Sequence, residues 1–283
     1  MQNKTQEERL DYLLHEFKAE SGRYRDLETG DSYEERRMAL RSFMNIRMPG
    51  PMEDEVLRIQ DAFLSEEAEE KGIVRTEDIL TAKDQYGCSG PYADKVSVWQ
   101  GDITRLAVDA IVNAANSQML GCFVPCHKCI DNAIHSAAGI QLREECNRYM
   151  HRRKLRYGPQ YEEPTGQAVL TKGYGLPAKY VIHTVGPIVS YRLTDNLIKD
   201  LENCYRNVLQ CCVENEIRTV AFCCISTGEF RFPNKEAAKI AVRTVRNFLE
   251  RNGSKIERII FNVFKDVDKE IYEQELKCRI MGK

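Results

Sequence analysis

The stretch AIVNAANSQMLG (Ala110–Gly121) passes from an apolar run to a polar loop within a few residues. Its first part, Ala110–Asn113, is a short apolar run with the β-branched side chains typical of a buried strand. The loop that follows ends in glycine, and a helical pattern begins at Asp131. The stretch therefore predicts a strand, a loop and a helix in succession, which is the building unit of an α/β fold.

The same alternation continues along the chain from Val96 onwards. Strands are predicted at Val96–Trp99, Ala110–Asn113, Ala168–Leu170, Tyr180–His183, Thr219–Cys223 and Ile259–Val263. Helices are predicted at Asp131–Ala138, Ile140–Tyr149, Asp195–Glu214, Lys235–Arg251 and Lys269–Lys277. This order implies an α/β sheet with helices on both faces, in which ligands bind at the carboxyl ends of the strands.

Residues 1–95 lack the alternation and instead show apolar residues at helical spacing. The recurring residues are Leu10, Leu13, Leu14 and Phe17, then Met38, Leu40, Phe43 and Met44, then Val56, Ile59, Phe63 and Leu64. No motif here indicates chemistry. We therefore predict a helical N-terminal extension over residues 1–95, which packs on or recruits something to a second domain over residues 96–283.

Composition narrows the class of protein. The 283 residues carry a formal net charge of −2, which argues against a general nucleic-acid binder. The densest basic run, His151–Gly158, is interpreted as a solvated loop. No apolar run approaches the length of a membrane span, and the N-terminal stretch lacks the apolar core of a signal peptide, so we expect a cytoplasmic protein without a membrane partner. In that compartment the eleven cysteines are thiols or metal ligands rather than disulfides.

The loop ISTGEFRFP (Ile225–Pro233) follows a predicted strand and precedes a helix start. Its backbone N–H groups could wrap an anion, because glycine permits close approach and peptide dipoles favour negative charge. The candidate residues are Ser226, Thr227, Gly228, Glu229 and Phe230. Taken alone, such a turn is more often an ordinary loop.

Taken together, several stretches resemble the signature motifs of macrodomains, the α/β modules that bind ADP-ribose. They are GDIT (Gly101–Thr104), VNAAN (Val112–Asn116), DNAIHSAAG (Asp131–Gly139), GQAVLTKGYGLPAKYVIHTVGP (Gly166–Pro187) and STGEFRFP (Ser226–Pro233). The resemblance implies a three-layer α/β/α fold with a mixed central sheet. It also implies that Asp102 and Ile103 contact adenine, that Asn116 contacts the distal ribose, and that the loop at Ser226–Phe230 holds the diphosphate.

One stretch, GCFVPCHKC (Gly121–Cys129), departs from the commonest macrodomain pattern. It resembles the zinc-dependent branch of the family, which implies Cys122, His127 and Cys129 as ligands. The residues agree with that assignment, because thiolate and imidazole groups suit Zn²⁺ and the short spacing lets one loop wrap one ion. Three ligands leave an open fourth position. Cys126 stays an alternative ligand, although its neighbour His127 would then have to bind beside it.

Asp131 allows two interpretations. An aspartate at the start of a helix caps that helix by default, whereas the resemblance implies a catalytic carboxylate that works with Asn116. His135 and His183 are interpreted as structural. The predicted function is zinc-dependent removal of mono-ADP-ribose from modified proteins, with the metal at the distal ribose and a water assisted by Asp131. Two alternatives stay open: a reader that binds ADP-ribose without cleaving it, with zinc shaping the pocket, and an interaction protein that acts through its extension.

Overall fold

The computed structural model describes residues 4–280. The chain begins with three helices, α1 (Gln6–Ser21), α2 (Tyr33–Ile46) and α3 (Asp54–Glu70). α1 and α2 each start with a capping box, in which Thr5 pairs with Glu8 and Ser32 pairs with Glu35. This reciprocal hydrogen bonding satisfies backbone donors that the first turn of a helix leaves without partners.

The three helices pack around a core of their own. Its buried members include Leu10, Leu13, Leu14, Phe17, Leu40, Phe43, Met44, Val56, Phe63 and Leu64. The predicted helical spacing is therefore confirmed for these residues, whereas Met38 is 58% exposed. Ile140 completes the cluster, and α2 and α3 both contact helix α5 (Ile130–Ala138). The extension thus rests on the part of the chain that carries the predicted site.

A short connection leads from the extension to the main sheet. Strand β1 (Val74–Arg75) pairs in parallel with β3 (Leu106–Ala107), and helix α4 (Ala82–Tyr86) follows. Apolar residues of this segment, among them Ile79 and Ala82, join the core of the main sheet. The division of the chain at residue 95 stays a prediction.

Within the described residues, the main sheet has six strands in the order β2-β8-β7-β4-β6-β5. Their bounds are β2 Val96–Gln100, β4 Ala110–Ala115, β5 Ala168–Lys172, β6 Tyr180–Val185, β7 Thr219–Phe222 and β8 Arg258–Val263. All neighbours pair in parallel except β5, which runs antiparallel to β6 at the edge. The mixed sheet and its helical layers confirm the predicted fold class. The loops that follow the parallel neighbours β4 and β7 leave the sheet at the same end.

The remaining helices cover the sheet. They are α6 (Ile140–Tyr157), α7 (Asp195–Glu214), α8 (Asn234–Asn252) and α9 (Asp266–Ile280). α5 and α6 contact each other and the strands β4 and β5, while α7, α8 and α9 contact one another in sequence. No helix within residues 4–280 is both long enough and apolar enough to cross a bilayer.

The basic run His151–Gly158 is not a loop. It is the last part of α6, which continues to Tyr157 and ends at Gly158. The run is mostly solvent-exposed, as its charge indicates. Lysine and arginine are also good helix formers, so a dense basic run indicates exposure without indicating a loop.

Candidate active site

The loop between β4 and α5 brings the three predicted metal ligands together. The ligand atoms of Cys122, His127 and Cys129 all lie within 4.8 Å of one another, and all three residues are half-buried. Cys129 is also the N-cap of α5, where its sulfur accepts the backbone N–H of Asn132 at 3.4 Å. A rigid helix end therefore fixes the last ligand of the loop.

The chemistry of this donor set fits a thiophilic cation. Burial, assisted by the neighbouring Cys122 thiol, raises the pKa of Cys129 to about 12. A cation at this position reverses that effect, because it stabilises the thiolate it binds. Nδ1 of His127 is buried and has no hydrogen-bond partner among residues 4–280, which leaves it available as a ligand. Two sulfurs and one imidazole are a donor set that Zn²⁺ accepts.

Cys126 points away from this group. Its thiol lies 3.3 Å from Ser42 Oγ and 3.6 Å from the carbonyl of Met38, both on α2. Its backbone has a positive φ of 50°. The geometry therefore favours the ligand set without Cys126.

Asp131 lies in the first turn of α5, buried at 6% exposure. Cys129 is the N-cap of that helix, so Asp131 does not cap it. Its carboxylate instead accepts hydrogen bonds from two amides, Asn113 Nδ2 at 2.8 Å and Asn116 Nδ2 at 3.4 Å. Burial raises the pKa of Asp131 to about 6, and the Asn113 hydrogen bond opposes that rise. Asn116 Nδ2 also donates to the Gly121 carbonyl at 3.2 Å, next to the first metal ligand.

A buried polar network orients Asn113 from below. Nδ1 of His183 lies 3.1 Å from Asn113 Nδ2, and Nε2 of His183 lies 3.0 Å from Thr171 Oγ1. Because the Asn113 amide donates both of its hydrogens, His183 accepts at Nδ1 and carries its proton at Nε2. Burial lowers the pKa of His183 to about 3, so the imidazole is neutral. The network directs an amide N–H of Asn113 at the Asp131 carboxylate.

His135 and Cys146 border this network. Together with His183 they form a second group with ligand atoms within 4.8 Å, and all three residues are buried. Nε2 of His135 lies 3.5 Å from Asp131 Oδ1. Both nitrogens of His183 have hydrogen-bond partners, so it belongs to the polar network, whereas neither ring nitrogen of His135 has one among the described residues.

Asp102 and Ile103 follow β2, at the carboxyl end of the sheet. Asp102 Oδ1 accepts the backbone N–H of Thr104 at 3.0 Å and its hydroxyl at 2.7 Å. These bonds cap a 3-10 helix at Ile103–Arg105. Ile103 is buried, whereas Asp102 is half-buried. Phe261 of β8 lies in the sheet core, and Phe264, which follows that strand, is 76% exposed.

The predicted anion-binding loop, Ile225–Pro233, follows β7 and is here called the anion loop. The turn is closed from within, because the Phe232 N–H donates to the Ser226 carbonyl at 2.9 Å and the Arg231 N–H donates to the Gly228 carbonyl at 3.0 Å. Ser226 has a positive φ of 66° and is buried, and its hydroxyl has no partner in the described part of the chain. The adjacent Gly186 leaves room for that hydroxyl, since a Cβ there would overlap it.

The two loops face each other across the end of the sheet. Glu229 Oε1 of the anion loop lies 3.9 Å from His127 Nε2 in the loop Gly121–Cys129, here called the metal loop. The predicted anion site and the predicted metal site therefore lie next to each other.

Comparison with known proteins identifies the fold family. Residues 112–241 match the Macro domain family. The chain is 45% identical to a protein-ADP-ribose hydrolase of Treponema medium, over 95% of this chain and 98% of that protein. It is 40% identical to a protein-ADP-ribose hydrolase of Staphylococcus aureus strain MRSA252, with 96% of each chain covered. The Trypanosoma brucei macrodomain in complex with ADP-ribose shares 29% identity and a TM-score of 0.60, covering 87% of this chain and 97% of that one. The chain belongs to the macrodomain family.

Sequence patterns miss some residues that the structure places at this site. Asn45 of α2 accepts the backbone N–H of Cys126, and Arg143 of α6 donates to the carbonyls of Leu120 and Cys122. The available signal is small: Asn45 is a polar residue within an otherwise apolar helix end.

Proposed function

We propose that the protein is a zinc-dependent hydrolase that removes mono-ADP-ribose from modified proteins. Two relatives named protein-ADP-ribose hydrolase, similar over nearly their whole length, support the reaction class. The observation that carries the proposal is the position of Asn116, whose amide lies within hydrogen-bond distance of both the Asp131 carboxylate and the start of the metal loop. One side chain thus joins the two chemical groups that the reaction needs.

ADP-ribose lies along the carboxyl end of the sheet in this proposal. The Asp102 carboxylate accepts a hydrogen bond from the adenine amino group, and the Ile103 N–H contacts the base. The diphosphate rests on the loop at Ser226–Phe230, where the Ser226 hydroxyl is a buried donor without a partner among residues 4–280. A ligand oxygen that accepts this hydrogen bond removes the cost of leaving the hydroxyl unsatisfied. The distal ribose is held at Asn116.

Cys122, His127 and Cys129 would hold the metal. When bound, Zn²⁺ supplies Lewis-acid polarisation of oxygen atoms at the distal ribose. Half-buried thiols in this role need a reducing compartment, which supports action in the cytoplasm.

Asp131 orients or deprotonates the water that attacks C1″ of the ribose. The bond from C1″ to the acceptor atom of the modified protein breaks as the new bond forms, and the proton taken from the water ends on the released acceptor. The carboxylate is buried, and the amides of Asn113 and Asn116 fix its orientation. A general base held by hydrogen bonds within reach of its proton is the arrangement that this step requires.

Metal content and turnover test the proposal together. Purified protein is expected to contain about one equivalent of zinc and to release ADP-ribose from a mono-ADP-ribosylated protein, and chelation should abolish both. Cys129→Ala should lose the metal, whereas Cys126→Ala should retain it. Tight ADP-ribose binding without turnover would instead identify a reader. Turnover that survives complete removal of the metal would contradict zinc dependence.

A further inference from the structure

Asn45, at the C-terminal end of α2, reaches from the extension into the metal loop. The side chain is 1% exposed, and its Oδ1 accepts the backbone N–H of Cys126 at 2.9 Å. Its Nδ2 donates to Ser136 Oγ at 2.9 Å on α5. One side chain of the extension therefore links the middle of the metal loop to the helix that carries Asp131.

Arg41, one turn earlier on α2, makes a second connection. Its Nη2 donates to Asn132 Oδ1 at 2.7 Å and lies 3.4 Å from the His127 carbonyl. Asn132 in turn donates to the Val124 carbonyl at 2.9 Å. The side chain of Arg41 thus contacts the loop directly at His127 and, through Asn132, indirectly at Val124.

Arg143 of α6 fastens the same loop to the end of α2. Its guanidinium is buried at 4% exposure, and its Nε donates to the Leu120 carbonyl at 2.7 Å. The ring of Phe123 lies 4.3 Å from it. Its Nη1 donates at 2.6–2.9 Å to three carbonyls at the end of α2, those of Met44, Asn45 and Arg47. A cation at this end of a helix is favoured by the helix dipole and satisfies carbonyls that lack helical partners.

These contacts are concentrated on the metal loop rather than spread evenly over the extension. Gln60 of α3 is a second fully buried amide of the extension, also 1% exposed. Its Oε1 accepts the backbone N–H of Ile140 and its Nε2 donates to Gln141, both at the start of α6. The extension therefore presents two buried amides to the macrodomain, one that holds the metal loop and one that holds a helix start.

We propose that α2 is a part of the metal centre, in which Asn45, Arg41 and Arg143 are positioning residues that hold the loop in the shape that binds zinc. This inference rests on the proposed zinc site and assigns the extension a role in it. A loop of nine residues must lose backbone freedom to bring three ligands around one ion. Contacts made from α2 before the metal arrives supply that order in advance, so they strengthen binding.

The test compares three variants of the full chain by competition for Zn²⁺ with a chromogenic chelator. Asn45→Leu removes both hydrogen bonds and keeps the approximate side-chain volume. We expect it to weaken zinc binding about 10–100-fold, the range for partners that orient ligands from outside the coordination sphere. Arg41→Met, at a half-buried position that tolerates substitution better, is expected to weaken binding in the same direction. Gln60→Leu is the matched control, with an equally buried amide removed, and its zinc affinity should equal that of the unmodified protein.

Thermal unfolding and amide hydrogen exchange of the metal-free proteins complete the comparison. Residues 121–129 should exchange faster in Asn45→Leu and Arg41→Met than in Gln60→Leu. Equal zinc affinity in all three variants would overturn the inference, and so would an equal loss in Gln60→Leu, which would indicate a general loss of stability. If Asn45→Leu does not fold, the zinc affinity of Arg41→Met is compared with that of Gln60→Leu, and this comparison tests the inference. Unmodified protein that binds no zinc would contradict the proposed function itself, which is a different result from unequal variants.

Discussion

The metal loop and the anion loop leave neighbouring strands of one sheet but are held in different ways. The anion loop is closed by its own backbone hydrogen bonds. It packs against Gly186, whose lack of a side chain leaves room for the Ser226 hydroxyl. The metal loop depends on side chains from α2 and α6, including a buried arginine that joins it to the extension. The difference separates a loop held within the sheet domain from a loop held in part by the extension. If the proposed function is right, ADP-ribose binding depends on the first and chemistry at the ribose depends on the second.

The sharpest way to separate the two loops is Asp131→Ala. In the proposed mechanism Asp131 activates the attacking water, so we expect single-turnover hydrolysis to slow by about 10²–10⁴-fold, the usual loss for a general acid–base group. In the proposed binding mode Asp102 and the anion loop supply most contacts, so ADP-ribose affinity should stay nearly unchanged. Single-turnover kinetics and calorimetry on the same preparation measure both quantities.

Asp131→Asn is the matched control for that variant, since it keeps the shape and removes the charge. Neither variant removes the cap of α5, which is Cys129. Asp131→Ala takes the acceptor away from the buried Asn113 amide, so thermal unfolding of both variants is measured beside their turnover. Full activity in a destabilised Asp131→Ala protein would reduce this residue to a structural role.

The opposite separation is expected from Gly186→Ala. A Cβ at this position overlaps Ser226 Oγ and comes within 2.9 Å of Ile225 Cγ2, so the anion loop must shift. Overpacking of this kind costs roughly 1–3 kcal/mol, which corresponds to ADP-ribose binding weaker by about 5–150-fold if the strain acts on the loop. Zinc content should not change. Calorimetry with ADP-ribose and metal analysis measure the two effects.

A double variant shows whether the overlap is the cause. Ser226 has a positive φ, which glycine adopts readily, so Ser226→Gly removes the overlapping hydroxyl without backbone strain. Gly186→Ala in the Ser226→Gly background should cost less affinity than Gly186→Ala alone. Equal losses in both backgrounds would place the strain elsewhere in the loop.

The sequence alone predicts the parts of this site that depend on short-range pattern. The strands, the motifs at their carboxyl ends and the cluster of Cys122, His127 and Cys129 are all visible as local spacing. Asn45 gives only the small signal of a polar residue in an apolar helix end, because its partners Cys126 and Ser136 lie 81 and 91 residues away along the chain. The contacts of Arg143 with the end of α2 span 96–99 residues and have no local signature. The prediction of a loop at His151–Gly158 was wrong, because this run is the end of α6. Its charge indicates exposure to solvent, whereas continuation of the helix depends on backbone propensity.

The smallest effect is expected where the two loops meet. Glu229 Oε1 lies 3.9 Å from His127 Nε2, and the Glu229 side chain is 75% exposed. Even a full ion pair exposed to water contributes only about 0–1 kcal/mol, so Glu229→Gln should change zinc affinity and ADP-ribose affinity by less than about fivefold. Chelator competition and calorimetry at low and moderate salt measure both, and any effect should shrink with added salt, because salt screens exposed charges. If Glu229→Gln instead weakened both ligands more than tenfold, the loops would be coupled through this contact, and the separation between binding and chemistry would fail at that point.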